Sequence, residues 1–186
     1  MFRKLLYLGI FLLLTYFTIK LVFYRYPVRY MDIIAQNATA YGIEPSLVCA
    51  MIHTESKYRE NAVSPKGASG LMQVTNATAN WIADEMKMEN YSYDDIFEPE
   101  INIGIGCYYL NWLMERYTQQ DTALAAYNAG NGNVDKWLRD TAYSIDGKQL
   151  LNIPFEETRT YVERVRINKV IYDCIIPLHK YIGRFL

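Results

Sequence analysis

The segment Pro45–Glu55 constrains this chain most, because its pattern predicts a buried helix that ends in a carboxylate. Three apolar residues lie seven, four and three positions before Glu55, and on a helix those positions share its face. They are Val48, Met51 and Ile52. Desolvation there would raise the pKa of the Glu55 carboxyl group and keep it protonated near neutral pH, as a general acid requires. A single Glu at a helix end is more often a solvated surface residue, so the position needs support from elsewhere.

Four short motifs occur in order along the chain and supply that support. They are Glu55-Ser56, Gly70-Leu71-Met72-Gln73, Ala126-Tyr127-Asn128-Ala129-Gly130 and Glu157-Thr158-Arg159-x-Tyr161-Val162. Each motif is weak alone, whereas all four in order at domain-scale spacing are specific. The series resembles the catalytic domain of the soluble lytic transglycosylases (SLT), which has a lysozyme-like fold. The resemblance covers roughly residues 41–170.

The resemblance implies an all-α domain within the α+β lysozyme-like superfamily, with a small β-element in the loop after Glu55. Hydrophobic periodicity and turn residues agree with a helical domain. Helices are predicted in the stretch that ends at Gly42, then over about 76–88, 99–117, 123–128, 134–138 and 155–181, with an interruption near Pro177. Asp146-Gly147 is a turn signal between mildly β-prone flanks, so a small hairpin is predicted over 142–151.

The first 26 residues are predicted to form a membrane anchor. Residues 5–24 make an apolar run of 20 residues, long enough to span a bilayer at about 1.5 Å per residue. A cleaved signal peptide is the alternative, but no small residues suited to cleavage follow the run. Basic residues flank both ends and leave the orientation open. The predicted division is an anchor over 1–26, a linker and leading helix over 27–40, and a catalytic domain over 41–186.

The family's chemistry needs one carboxylate rather than the usual glycosidase pair. By resemblance, the substrate is the peptidoglycan glycan strand. Protonated Glu55 donates to the glycosidic oxygen between N-acetylmuramic acid and N-acetylglucosamine. Ionised Glu55 then takes the proton from the 6-hydroxyl of the muramic acid, which attacks the anomeric carbon and leaves a 1,6-anhydro end. The resemblance implies no metal or organic cofactor.

Five further residues receive substrate-binding roles through the resemblance. Gln73 would bind substrate amide or hydroxyl groups, and Met72 would line the sugar site, although a core methionine is equally expected. Tyr127 and Asn128 would bind N-acetyl or hydroxyl groups, or else shape a helix end. Tyr161 would hold the Glu55 carboxyl group in orientation, with a core tyrosine as the alternative. His53 points elsewhere on the helix and receives no catalytic role.

Charge and cysteine content exclude other classes of function. Outside the first thirty residues the chain carries 14 basic and 20 acidic residues, a poor composition for binding nucleic acid. The three cysteines form no CxxC motif and suggest no metal site. They are predicted to be buried and unpaired, with a Cys49–Cys107 bridge left open.

Two other functions stay open from the sequence alone. A hydrolytic muramidase similar to goose-type lysozyme shares the fold and the lone acid, but uses water as the nucleophile. A catalytically silent peptidoglycan-binding scaffold would recruit cell-wall or secretion machinery at the membrane. The expected location is a bacterial cell membrane, with a single span and the catalytic domain on the extracytoplasmic side.

Overall fold

The computed structural model describes residues 2–182, which form eight α-helices, one 3₁₀ helix and one short two-stranded hairpin. The helices are α1 (Phe2–Arg25), α2 (Met31–Tyr41), α3 (Pro45–Glu55), α4 (Asn76–Glu85), α5 (Pro99–Arg116), α6 (Gln120–Ala129), α7 (Asn131–Leu138) and α8 (Glu156–Ile182). The 3₁₀ helix covers Tyr93–Phe97, and the strands are β1 (Ala68–Ser69) and β2 (Val74–Thr75). The predicted helical class is confirmed.

Helix α3 forms the centre of the core. It lies between α2 and α8, and the three residues predicted to share the Glu55 face are fully buried. Pro45 occupies its first turn, where the missing N–H has no intrahelical partner to lose. Helices α5 and α6 complete the core, since α5 packs on α2 and α6, and α6 packs on α8. The predicted catalytic helix is therefore held on several sides by apolar contacts.

Helix α2 packs against α3 and α5 and buries Ile34 and Ala38 in the same core. Gly42 ends the helix as predicted, in a left-handed conformation with φ of 64°. The leading helix therefore packs with the domain, while the division of the chain at 26 and 40 stays a prediction.

Helix α1 is long and apolar enough to cross a membrane, and its 18-residue apolar window has a mean hydropathy of 2.1 with nothing buried. Its threonines are compatible with a lipid environment. Thr15 Oγ1 donates to the Phe11 carbonyl and Thr18 Oγ1 to the Leu14 carbonyl, each at 2.9 Å. The hydroxyl donors are thus satisfied within the helix itself.

The last turn of α1 contacts α3 through His53. The Arg25 guanidinium lies 2.8 Å from His53 Nε2, and the Tyr26 ring stacks on the imidazole with centroids 4.7 Å apart. Burial lowers the pKa of His53 to about 4, with Arg25 and Lys57 adding to the effect. The neutral ring therefore accepts from Arg25, and His53 serves this junction.

The β-hairpin pairs Ala68 with Thr75 and Ser69 with Val74 in antiparallel register. Its turn passes close to α5, because Gly70 has a φ of +80° and a Cβ there would collide with Asn102. Thr75 then caps α4 by accepting from the Thr78 N–H at 3.3 Å. The β-element implied by the family resemblance is therefore present beside the end of α3.

The second predicted hairpin, over 142–151, is wrong. This segment folds into turns without strands. Asp146 Oδ1 accepts from the N–H groups of Lys148 and Gln149 at 2.8 and 3.0 Å, and Ser144 Oγ accepts from Gly147. Side chains thus satisfy the backbone donors that a cross-strand ladder would otherwise use.

Two further expectations need correction. Pro177 lies inside α8 without interrupting it. Cys49 and Cys107 are buried free thiols, as predicted, but Cys174 is exposed on α8. The apolar pattern around Cys174 belongs partly to an outer face of α8, where Val170 and Leu178 are also exposed.

Candidate active site

Glu55 is the last residue of α3, and its carboxyl group is removed from water by its neighbours although the residue keeps some exposed surface. This desolvation raises the pKa of Glu55 from its usual value near 4.5 to about 8, while the Tyr161 hydroxyl acts in the opposite direction. No cation in the described chain offsets the desolvation. The carboxyl group is therefore protonated at neutral pH and can serve as a general acid.

Tyr161 lies on α8 beside this carboxyl group and is almost fully buried. Within residues 2–182 its hydroxyl finds no hydrogen-bond partner in normal geometry. A buried hydroxyl without a partner is costly, and such groups are common at functional sites. The hydroxyl thus lies close to the Glu55 carboxyl group, and the orienting role predicted from the sequence stays a prediction.

A side-chain hydrogen bond at Thr54, one residue before Glu55, fixes the position of α8 along α3. Asn168 Nδ2 donates to Thr54 Oγ1 at 2.9 Å, and the Thr54 hydroxyl donates to the Ala50 carbonyl at 2.7 Å. The sequence analysis did not identify Asn168. It lies seven residues after Tyr161, on the same face of α8. This spacing could have predicted that Asn168 faces α3, as Tyr161 does.

Tyr127 connects α6 to the β-hairpin. Its hydroxyl donates to the Met72 carbonyl at 2.9 Å. Burial raises the pKa of this hydroxyl well above its usual value, and the nearby Glu55 carboxyl group adds to the effect. The Met72 side chain is fully buried, and a Cβ at Gly106 would collide with it. In this structure Met72 is thus a core residue that offers backbone atoms, and its sugar contact stays a prediction.

Gln73 has a φ of 49°, so it closes the hairpin turn in a left-handed conformation. Its Nε2 donates to the carbonyls of Ala62 and Gly70 at 3.0 and 2.9 Å. These bonds use both amide protons and fix the orientation of the side chain. The Oε1 atom remains available to accept a hydrogen bond from a ligand.

Asn128 follows Tyr127 at the end of α6, and its Oδ1 accepts from the Thr158 hydroxyl at 2.8 Å. Gln73, Tyr127 and Asn128 together line a cavity of about 300 Å³, which Thr78, Tyr109 and Asn131 extend. The structure therefore brings three of the predicted binding residues to one cavity. Glu55 and Tyr161 do not line this cavity, although both interact electrostatically with its wall residue Tyr127.

Asn102 organises the hairpin turn from inside the core, and the sequence analysis missed it. Its Oδ1 accepts from the Met72 N–H at 2.7 Å. Its Nδ2 donates to the carbonyls of Ser69 and Ile96 at 3.1 and 2.8 Å. Its place within the apolar run of α5 could have predicted this role, because a buried polar side chain needs hydrogen-bond partners.

Two other acids of the described chain, Glu60 and Asp95, have structural partners. Glu60 accepts a hydrogen bond from the Tyr30 hydroxyl, and Asp95 caps the 3₁₀ helix through the Ser92 N–H at 2.8 Å. Within residues 2–182, no group of three or more His, Cys, Asp or Glu side chains is arranged to hold a metal ion.

The raised pKa of Glu55 predicts a pH-dependent stability. The folded protein holds the Glu55 proton between about pH 4.5 and 8, whereas the unfolded chain has lost it. Stability therefore falls as the pH rises through this window, by up to roughly 1.4 kcal/mol per pH unit. Glu55→Gln removes this contribution, so the variant is expected to gain stability relative to the natural protein between about pH 5 and 7.5.

Urea unfolding of both proteins at the two pH values measures this difference. The exposed Glu85 at the end of α4 supplies a matched control, and Glu85→Gln is expected to follow the natural protein. If the difference in free energy of unfolding between Glu55→Gln and the natural protein does not change with pH, the folded-state pKa of Glu55 is normal.

Comparisons with known proteins agree with this geometry. The family model for the transglycosylase SLT domain matches residues 32–149. The soluble lytic murein transglycosylase of Salmonella typhimurium is 37% identical over 144 residues, which cover 76% of this chain and 22% of the relative. The membrane-bound lytic murein transglycosylase C of Yersinia enterocolitica is 35% identical, covering 67% of this chain and 36% of the relative.

Solved structures show the same relationship. An inactive glutamate-to-glutamine mutant of the lytic transglycosylase Slt from Pseudomonas aeruginosa superimposes with a TM-score of 0.74 at 31% identity, covering 84% of this chain and 26% of that one. The 70 kDa soluble lytic transglycosylase of Escherichia coli gives a TM-score of 0.72 at 30% identity, covering 83% of this chain and 26% of that one. This chain spans about a fifth to a third of the length of these relatives. With the family model matching more than half of its residues, the chain belongs to the transglycosylase SLT domain family.

Proposed function

We propose that this protein is a peptidoglycan lytic transglycosylase. It cleaves the β-1,4 bond between N-acetylmuramic acid and N-acetylglucosamine and leaves 1,6-anhydromuramic acid ends. The observation that carries the proposal is the desolvated Glu55 carboxyl group beside Tyr161, on which no cation or second acid among residues 2–182 acts. The relatives named lytic murein transglycosylases support the same reaction.

The reaction needs two proton transfers at one carboxyl group. Protonated Glu55 donates to the glycosidic oxygen as the bond to the muramic acid anomeric carbon breaks. The carboxylate then takes the proton from the 6-hydroxyl of the same sugar, whose oxygen forms the new bond to the anomeric carbon. A pKa of about 8 suits both steps, because the group is protonated at rest and basic once ionised.

The neighbouring residues assist by position. The Tyr161 hydroxyl donates to the Glu55 carboxylate formed after the first transfer, when the charge is buried and needs a partner. Gln73 Oε1 and the Asn128 amide hold sugar N-acetyl and hydroxyl groups in the cavity they share. Attack by a hydroxyl already within the substrate benefits from an effective concentration of about 10⁵ M or more.

Location follows from α1. We assign it as a single-pass anchor in a bacterial cell membrane, with the domain on the extracytoplasmic side where peptidoglycan lies. No residue of its 18-residue apolar window is fully buried, although Val22 and Phe23 near its end pack against the core. Its last residue, Arg25, contacts His53. Cell-wall or secretion machinery at the membrane would supply its partners.

Mass spectrometry of the released fragments tests the proposal. The full chain in detergent micelles is expected to release anhydromuropeptides from purified peptidoglycan. Products about 18 Da heavier, with reducing ends, would identify a hydrolytic muramidase instead. Binding to peptidoglycan without any release would favour the scaffold function.

A further inference from the structure

The cavity lined by Gln73, Tyr127 and Asn128 neighbours a second cavity of about 420 Å³ at the surface of α4 and α5. The two cavities share three wall residues, Thr78, Tyr109 and Asn131. The second cavity is also lined by Trp81 on α4 and Trp112 on α5. Nothing in the proposed acid chemistry uses these two tryptophans.

The aromatic rings follow one another away from the catalytic end. Tyr127 and Tyr109 have ring centroids 5.2 Å apart. Tyr109 and Trp112 are nearly parallel, with centroids 6.2 Å apart and 16° between their planes. Trp81 stands almost perpendicular to both, at 83° to Trp112 and 84° to Tyr109. Trp81, Tyr109 and Trp112 therefore form an aromatic corner. The nearly parallel rings of Tyr109 and Trp112 make one wall, and the ring of Trp81 makes the other.

The corner lies at the edge of the core, against which all three rings pack. Trp81, Tyr109 and Trp112 are all only partly buried. Trp137, the remaining tryptophan, is buried and packs edge-on against Phe155 with centroids 4.9 Å apart. The Arg116 guanidinium lies 5.7 Å from the Trp112 ring centroid and contributes a cation–π contact on that side. All three rings line the second cavity.

We propose that this corner is a sugar-binding subsite for the same glycan strand that reaches Glu55. The proposal rests on the proposed function. A pyranose ring has an apolar C–H face that fits a flat aromatic surface, and polar edges that suit Thr78 and Asn131 at the corner's rim. An N-acetylhexosamine there lies farther from the cleaved bond than the sugars held by Gln73 and Asn128. The subsite lengthens the groove and favours long strands over short fragments.

The test measures oligomer binding in a variant that is expected not to cleave the glycan. The full chain carrying Glu55→Gln is titrated with N-acetylglucosamine oligomers while tryptophan emission is recorded. The chain has three tryptophans, so Trp137→Phe gives the control in which all emission comes from the corner. Hexamers are expected to shift this emission and to bind at least about tenfold more tightly than dimers.

Substitution at the corner should remove this length dependence. Trp112→Ala is expected to weaken hexamer binding by about tenfold and to leave dimer binding unchanged. Trp112→Tyr retains an aromatic face and is expected to bind hexamers nearly as well as the parent. Trp81→Ala provides a second variant, with the same loss expected, should Trp112→Ala fold poorly.

Several results would overturn the subsite. One is an equal loss of affinity for dimers and hexamers in the alanine variants. Another is unchanged hexamer binding in both alanine variants, and the third is no binding of any oligomer by the parent. The outcome is separate from the proposed activity. Length-dependent binding at the corner together with no anhydro product from the natural protein would retain the subsite and reject the transglycosylase.

Discussion

Replacing Glu55 with glutamine is expected to reduce the release of anhydromuropeptides on the order of 10³-fold. The amide cannot donate a proton to the glycosidic oxygen, and it cannot take one from the 6-hydroxyl. Within the described residues, no second acid contributes to the pKa shift of Glu55. The shape of the site is retained, because glutamine has nearly the same volume as glutamic acid and suits a desolvated position as a neutral group.

The rate is measured on purified peptidoglycan by quantifying anhydro ends over time, with the full chain in detergent. Glu85→Gln controls for loss of a carboxylate elsewhere and is expected to retain the natural rate. Binding of N-acetylglucosamine oligomers should persist in Glu55→Gln, which separates lost chemistry from lost folding. A residual rate within a few-fold of that of the natural protein would show that another residue is the general acid.

The burial of the helix face that carries Glu55 could be predicted because it depends on local periodicity, whereas the choice of Glu55 as the acid needed the four motifs that resemble the family. Three residues on its helix face are apolar, and the structure buries all three. Likewise, Gly42 and Pro45 carry their own backbone preferences, so the ends of α2 and the start of α3 follow from the sequence.

Long-range contacts could not be predicted in the same way. The Tyr127 hydroxyl bonds a carbonyl 55 residues earlier in the chain, and this contact depends on how α6 meets the β-hairpin. The burial of Met72 depends equally on the absence of a side chain at Gly106. The motif containing Asp146 failed as a hairpin signal, because its carboxylate binds the local backbone.

The aromatic corner shows a related limit of sequence patterns. Trp112 fits the helical periodicity of α5, which does not distinguish a ring that fills the core from one that lines a groove. The distinction arises from α4, which places Trp81 across from it. Tertiary contacts of this kind decide whether an aromatic residue serves packing or binding.

Asn102→Leu is expected to destabilise the domain by about 4 kcal/mol, since three buried backbone groups lose their partners at once. The groups are the N–H of Met72 and the carbonyls of Ser69 and Ile96. Leucine has a similar size, so the loss reflects hydrogen bonding more than a cavity. Because the turn carries Gln73 and the acceptor for Tyr127, the activity of the folded fraction should fall as well.

Urea unfolding in detergent, followed by near-ultraviolet circular dichroism, measures the loss. Asn111→Leu is the matched control on the same helix, because Asn111 donates only to the exposed Glu115 side chain at 3.1 Å. Its cost should stay within about 0.5 kcal/mol. If both variants lose equally little, the hairpin turn is held by its own contacts. A large loss confined to Asn102 would show that one buried amide joins α5 to the turn beside the catalytic carboxyl group, and that the site depends on it.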